Sequence, residues 1–159
     1  MLVVCDIDGT LADIVERQKR AGEAPDKKNK RKFQNWLNRL QPVELLAKDR
    51  PIVCMRELLY ALADNHKLVY LTGREEKYRE VTDGWLSTLH FPPAPLKMRP
   101  SKDNELETNL LKERVMLELA IEFQDFTILV VDDDVEGVCE PMYRKHGWTH
   151  LKATANLED

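Results

Sequence analysis

The chain has 159 residues, 43% of them hydrophobic and 33% charged, with 6 Gly and 8 Pro. That length suits one domain over 1–159 with a small insertion, and the composition excludes fibrous, low-complexity and disordered chains. Lys and Arg number 24 against 28 Asp and Glu, a formal charge of −4, which argues against a surface that holds nucleic acid over its whole extent. No apolar run reaches the roughly 18 to 20 residues of a membrane-spanning helix, and Met1 leads directly into a short apolar tetrad. A cytoplasmic protein without membrane contact is expected. Cys5, Cys54 and Cys139 stand far apart with no CxxC, so neither a disulfide framework nor a zinc knuckle is indicated and buried thiols are expected.

Taken in chain order, Leu2 to Cys5 is a continuous apolar run that reads as a short strand covered on both faces. Asp6-Ile7-Asp8-Gly9-Thr10 follows as the turn at its carboxyl edge. The segment from about 12 to 48 reads as a helical insertion. It holds a basic block (Arg17, Lys19, Arg20, Lys27, Lys28, Lys30, Arg31, Lys32) relieved only by Glu23 and Asp26, and then Phe33, Trp36, Leu37 and Leu40 at helical spacing. Pro42 ends this helix, and Val43 to Asp49 reads as a loop. Pro51 suits the first position of a helix whose buried face is Met55, Leu58, Leu59 and Leu62. A strand over Leu68 to Leu71 ends in the turn Thr72-Gly73-Arg74. Tyr78, Val81, Trp85 and Leu89 mark the next helix, closed by Pro92-Pro93. A short strand at Leu96 to Met98 precedes a helix carrying Leu110, Leu111, Val115, Met116, Leu119 and Phe123. Phe126 to Val131 is a strand ending in Asp132-Asp133-Asp134, Val135 to His146 a helix stopped by Gly147, and Trp148 to Ala153 an edge strand. Such alternation predicts an α/β fold with a mostly parallel central sheet between two helical layers, with ligands beyond the carboxyl ends of the strands.

The polar turns carry the chemistry. Asp6 and Asp8 bring two like charges close together at one strand end, a costly arrangement unless a cation or a proton neutralises them. A helix cap or turn explains either residue alone. Asp132, Asp133 and Asp134 then deliver further carboxylates to the same sheet edge, more than capping requires, and an oxygen-rich site of this kind suits Mg²⁺. Asp134 reads as the cap of the following helix. Thr72, Gly73 and Arg74 offer a hydroxyl, backbone N–H groups and a guanidinium to an anion such as phosphate. Lys112 lies beside the apolar stripe of its helix, where a surface lysine is the plain alternative. The histidines form no metal pair, since Gly147 falls between His146 and His150. Neither GxSxG nor GxxxxGK occurs.

Asp6-Ile7-Asp8-Gly9-Thr10, Thr72-Gly73-Arg74, Lys112 and Asp132-Asp133, in that order, closely resemble the motifs of the haloacid dehalogenase (HAD) superfamily of phosphotransferases. The stretch VYLTGR, the pair Trp85-Leu86 and the basic residues ahead of the lysine helix resemble the phosphatase domain of phage-type polynucleotide kinase/3′-phosphatases. The resemblance implies a HAD-like, Rossmann-type three-layer fold in which the insertion is a small helical cap. It implies Asp6 as nucleophile, Asp8 as general acid and then base, Thr72 on a phosphate oxygen, and Lys112 neutralising charge. It also implies Mg²⁺ held by Asp6, the carbonyl of Asp8, Asp132 and Asp133. Thr10, Arg17, Gly73 and Arg74 would bind the substrate phosphate, with Arg99 a looser match. Ser101 to Asn109 departs from the acidic pattern of that subfamily.

The implied activity is removal of 3′-phosphate from polynucleotides or nucleotides, with the basic insertion steering the substrate. Phe33 and Trp36 could stack on a base, although aromatic residues at helical spacing commonly belong to a core. The residues themselves leave other readings open: a phosphatase of mononucleotides or other small phosphate esters, a phospho-receiver, or a nucleic-acid-binding module.

Overall fold

A computed structural model of the chain describes residues 1–104, 106–135 and 137–154. In chain order its elements are β1 (Leu2–Cys5), β2 (Ala12–Asp13), α1 (Val15–Ala21), α2 (Lys30–Leu40), α3 (Val43–Leu46), β3 (Arg50–Pro51), α4 (Val53–Ala63), β4 (Lys67–Glu75), α5 (Arg79–Thr88), β5 (Leu96–Arg99), α6 (Thr108–Glu122), β6 (Ile128–Asp132), α7 (Glu140–Lys145) and β7 (Thr149–Lys152). Five strands form one sheet in the order β5-β4-β1-β6-β7, and every neighbouring pair is parallel. Cys5 lies level with Tyr70 on one side and Val131 on the other, so the turns after β1, the end of β4 and the end of β6 emerge together.

The apolar runs divide by alternation. Val3, Cys5, Leu68 and Tyr70 face Leu59 of α4 and Trp85 and Leu86 of α5. Leu2, Val4, Val69 and Leu71 face Val115, Met116 and Leu119 of α6 and Met142 and Tyr143 of α7. A strand buried on both sides needs apolar residues at every position, which is why β1 and β6 read as unbroken runs. The α/β three-layer expectation holds. Cys5 and Cys139 are buried as expected, but Cys54 is exposed on the outer side of α4.

Local boundaries differ where pairing overrides propensity. Pro51 does not open a helix: Arg50–Pro51 pairs antiparallel with Ala12–Asp13, and the Ile52 N–H donates to the Leu11 carbonyl at 2.7 Å, which postpones α4 to Val53. This ribbon closes the base of the insertion, and Val43–Leu46 within it is a short helix rather than a loop. Thr72-Gly73-Arg74 does not form a turn opening a helix. β4 runs on through these residues to Glu75, with an irregular register against β5 between Leu71 and Glu75. The helix expected from Val135 begins only at Glu140, while position 136 lies outside the described residues. Phe126 precedes β6 and packs edge-on against Phe123. Among the described residues no helix is long and apolar enough to cross a membrane.

Met116 is wholly buried between α6 and the sheet, whereas its neighbour Leu117 is 42% exposed. Met116→Ala is expected to lower unfolding free energy by about 2–5 kcal/mol, and Leu117→Ala by no more than about 0.5 kcal/mol. Urea denaturation of the two variants checks the assignment of the inner face.

Candidate active site

The carboxyl ends of β1 and β6 place Asp6, Asp132 and Asp133 so that one carboxylate oxygen of each lies within 4.8 Å of the others. Lys112 reaches them from α6, its ammonium 2.7 Å from Asp132 Oδ2 and 3.4 Å from Asp6 Oδ1. It is buried, not a surface lysine. Tyr143 donates its hydroxyl to Asp132 Oδ2 at 2.5 Å, and the Asp134 N–H donates to Asp132 Oδ1 at 2.9 Å. Burial opposes the ionised form of Asp132, yet Lys112 and these hydrogen bonds hold its carboxyl below the usual carboxylate range. Asp6 goes the other way: burial raises its pKa well above the ordinary value, and the charges of Asp132, Asp8 and Asp133 add to this against the pull of Lys112. Asp133 is pushed up to about 6, first by burial and then by Asp132. Burial alone would favour loss of the Lys112 proton, but Asp6 and Asp132 keep the ammonium charged.

One ammonium stands beside a group of three carboxylates, and burial first, then their mutual repulsion, raises the pKa values of Asp6 and Asp133. A hard divalent cation with a preference for oxygen ligands fits such a donor set. Two local features set its shape. The Thr10 hydroxyl accepts from the Asp133 N–H at 2.9 Å and so fixes the second acidic turn against the first. Gly9 sits at φ +81°, and a Cβ there would stand 2.0 Å from Asp133 Oδ2, so only glycine lets that carboxylate approach. Asp134 caps α7, accepting from the Cys139 and Glu140 N–H groups at 3.0 and 2.8 Å.

The Asp8 carboxylate is not among these grouped oxygens. Arg74 donates to both of its oxygens, with Nη2 at 2.6 Å, and Arg17 Nη2 lies 2.6 Å from Oδ1. Burial would raise its pKa, but the two guanidiniums outweigh that and hold Asp8 well below the usual range. A residue with no motif completes the cluster. Asp49, from the segment between α3 and β3, accepts from Arg17 Nε at 2.7 Å and from Arg74 Nη2 at 3.2 Å, and its carbonyl accepts from the Trp85 indole at 2.8 Å. Arg17 and Arg74 are thus spent on Asp8 and Asp49, with Leu40 and Thr82 as further acceptors, and neither lines the cavity above the site. Thr10 does not line it either. No sequence signal marked Asp49, because a lone acid before an Arg-Pro pair has no pattern.

The cavity has a volume of about 580 Å³. Asp6, Asp8, Thr72, Gly73 and Lys112 line it, and so does Arg99, which sequence placed at the substrate. The Arg99 guanidinium is committed to the Gly73, Asp103 and Leu106 carbonyls and the Thr108 hydroxyl, and so shapes the wall. Lys27, Lys30 and Arg31 of the basic block also line the cavity.

No protein-family model matches the sequence, and no curated protein does. Solved structures do match by fold. A chain of the Pnkp1/Rnl/Hen1 complex superposes with a TM-score of 0.69 at 21% identity over 96% of this chain, and 45% of that one. A hydrolase from Streptococcus pneumoniae gives 0.61 at 14% identity, covering 98% and 94% of the two chains. A HAD family enzyme from Bacteroides thetaiotaomicron, solved with magnesium and inorganic phosphate, gives 0.56 at 11% identity, covering 99% and 96%. The fold is HAD-like. This chain spans less than half the length of the Pnkp1/Rnl/Hen1 chain that it matches.

Asp49→Ala leaves two buried guanidiniums to a single carboxylate, and an expected loss of about 3–5 kcal/mol follows from breaking a buried ion pair on one side. An unfolding free energy, from denaturant titration, within about 0.5 kcal/mol of the parent protein would show that the cluster is not closed as described.

Proposed function

We propose that this chain is a Mg²⁺-dependent phosphomonoesterase acting through an aspartyl-phosphate on Asp6, with 3′-phosphate ends of polynucleotides or nucleotides as substrates. The single observation that carries the reading is the grouping of the Asp6, Asp132 and Asp133 carboxylates, with the Lys112 ammonium against Asp6 and Asp132, beneath an open cavity that Asp6 and Lys112 line. The HAD-like fold supports it, as do the neighbours solved with magnesium and phosphate and in a complex described as one of RNA repair.

Asp6, Asp132 and Asp133 would hold the metal, with the Asp8 carbonyl as a further ligand. Bound there, Mg²⁺ would supply the positive charge that lets a carboxylate approach an anionic phosphate. Asp6 attacks phosphorus while Asp8 gives a proton to the departing ester oxygen. Asp8 then takes a proton from the water that hydrolyses the acyl phosphate and regenerates Asp6. The arginines fix the Asp8 carboxylate in place and keep it ionised in the free protein, so the proton it gives enters with the substrate: a phosphate ester bound as its monoanion passes its proton to Asp8, which hands it to the departing oxygen. Thr72 lines the cavity beside Asp6 and supplies a hydroxyl to a phosphate oxygen. Lys112 offsets charge on the nucleophile and the transferring group. In this reading the insertion is a cap, and Lys27, Lys30 and Arg31 draw a polyanion toward the cavity.

Phosphate release from a 3′-phosphorylated oligonucleotide is expected with Mg²⁺ and not with EDTA. Asp6→Asn should abolish turnover and remain folded, and Asp8→Asn should lower it by about a hundredfold or more. Metal-independent release, full activity of Asp6→Asn, or one stable phosphorylation per chain in place of repeated turnover would each refute the proposal.

A further inference from the structure

Helix α2 is amphipathic, yet it contributes no buried residue to the core. Lys30, Phe33, Gln34 and Leu37 follow one another at the spacing of a single helix face, and all of them line the cavity. The Phe33 ring stacks on Trp36, with centroids 5.6 Å apart and planes inclined by 30°. Trp36 is itself tied down, its indole N–H donating to the Gly22 carbonyl at 2.8 Å, and Arg39 donates to the Ala21 carbonyl. These bonds fasten α2 to the end of α1. Phe33 is thereby backed by a second ring while it lines the space above Asp6 and Lys112. Leu106, from the segment that Arg99 organises, adds apolar surface to the same cavity.

The cavity therefore has a polar floor suited to a phosphate and an apolar, aromatic portion on the insertion. A small sugar phosphate offers nothing to the second part. A nucleotide joins a phosphate to a flat aromatic base, and base–aromatic stacking is favourable whichever base is present. The volume of about 580 Å³ falls within the ordinary range of sites that enclose a small molecule. Lys27 and Arg31 line the same cavity and place basic groups where a chain of phosphates would continue outward, with Glu75 and Glu107 also in the lining.

We propose that Phe33 and Leu37 form an apolar platform for the base of the 3′-terminal nucleotide whose phosphate lies at Asp6, without regard to which base it is. The proposal rests on the phosphatase reading above and deepens it by assigning the part of the substrate beyond the phosphate.

The test compares two 3′-phosphorylated dinucleotides, one ending in thymidine and one whose terminal residue is abasic, on the full chain in Mg²⁺. Binding is measured by calorimetry on the Asp6→Asn variant and turnover on the parent protein. The thymidine substrate is expected to bind about 10- to 100-fold more tightly. In the turnover assay the difference should fall mainly on KM. Replacing thymine by adenine should change binding by less than about threefold. Phe33→Ala should erase the preference while leaving the abasic substrate unchanged, and Phe33→Tyr, which keeps the ring, should retain it. Equal binding of the two substrates, or a preference that survives Phe33→Ala, overturns the platform. Absence of turnover on both substrates, with the binding preference intact, would instead overturn the phosphatase reading and leave the platform standing.

Discussion

Like charges gathered at one edge of a buried sheet are the constraint from which the site follows. Asp6, Asp132 and Asp133 cannot all stay ionised beside one another at low dielectric unless positive charge is brought among them. Lys112 provides one such charge, buried and placed between Asp6 and Asp132. The sheet order makes this possible. β1 stands between β4 and β6, so the turns that follow the first and the last of the apolar runs meet although they lie at opposite ends of the sequence. Thr10 and Gly9 then set the distance between the two turns, one by a hydrogen bond and the other by having no side chain.

A second charge cluster lies next to the first and is balanced differently. Arg17 and Arg74 meet Asp8 and Asp49, two cations against two anions, with the remaining donors directed to Leu40 and Thr82. This group is close to neutral by itself, so it needs no ion. Its members come from α1, from the segment after α3, from β4 and from the first turn, and so it binds both stems of the insertion to the sheet edge. The Trp85 indole on the Asp49 carbonyl extends the same connection to α5. A buried network of this kind fixes orientation more than it adds stability, since each ion's desolvation offsets much of the attraction.

Much of this was legible in the sequence, for physical reasons. Parallel strands covered on both faces leave unbroken apolar runs, and helices packed on them leave stripes, so β1, α5, α6 and β6 could be read directly. The acids of the first and last turns stood out because capping alone does not call for so many. What remained hidden depends on contacts between distant residues. The β2–β3 ribbon is two residues long on each side and has no periodicity to detect, and it displaced Pro51 from the helix start that its local preference favours. The partners of Arg17 and Arg74 were equally beyond reach: an arginine near a phosphate motif is read as a phosphate ligand, and only the fold shows Asp8 and Asp49 closing around both guanidiniums. For the same reason no sequence pattern marks Asp49.

The two arginines explain how the positive charge of the chain is divided. With Arg17 and Arg74 buried and paired, the cation on the cavity floor is Lys112, while the cations lining it from the insertion are Lys27, Lys30 and Arg31. The floor charge is held in place at low dielectric and acts over a few ångströms on whatever lies against Asp6. The insertion charges are exposed to solvent, and salt screens their field over about 10 Å at ordinary ionic strength. In the proposed reading the first kind of charge would discriminate by geometry, and the second would gather anions without discriminating among them. Phe33 and Leu37 line the cavity on the same helix face as Lys30, so apolar surface stands beside these charges. The net charge of −4 accompanies a basic block gathered in one segment of the chain, so a local positive patch and an acidic whole coexist.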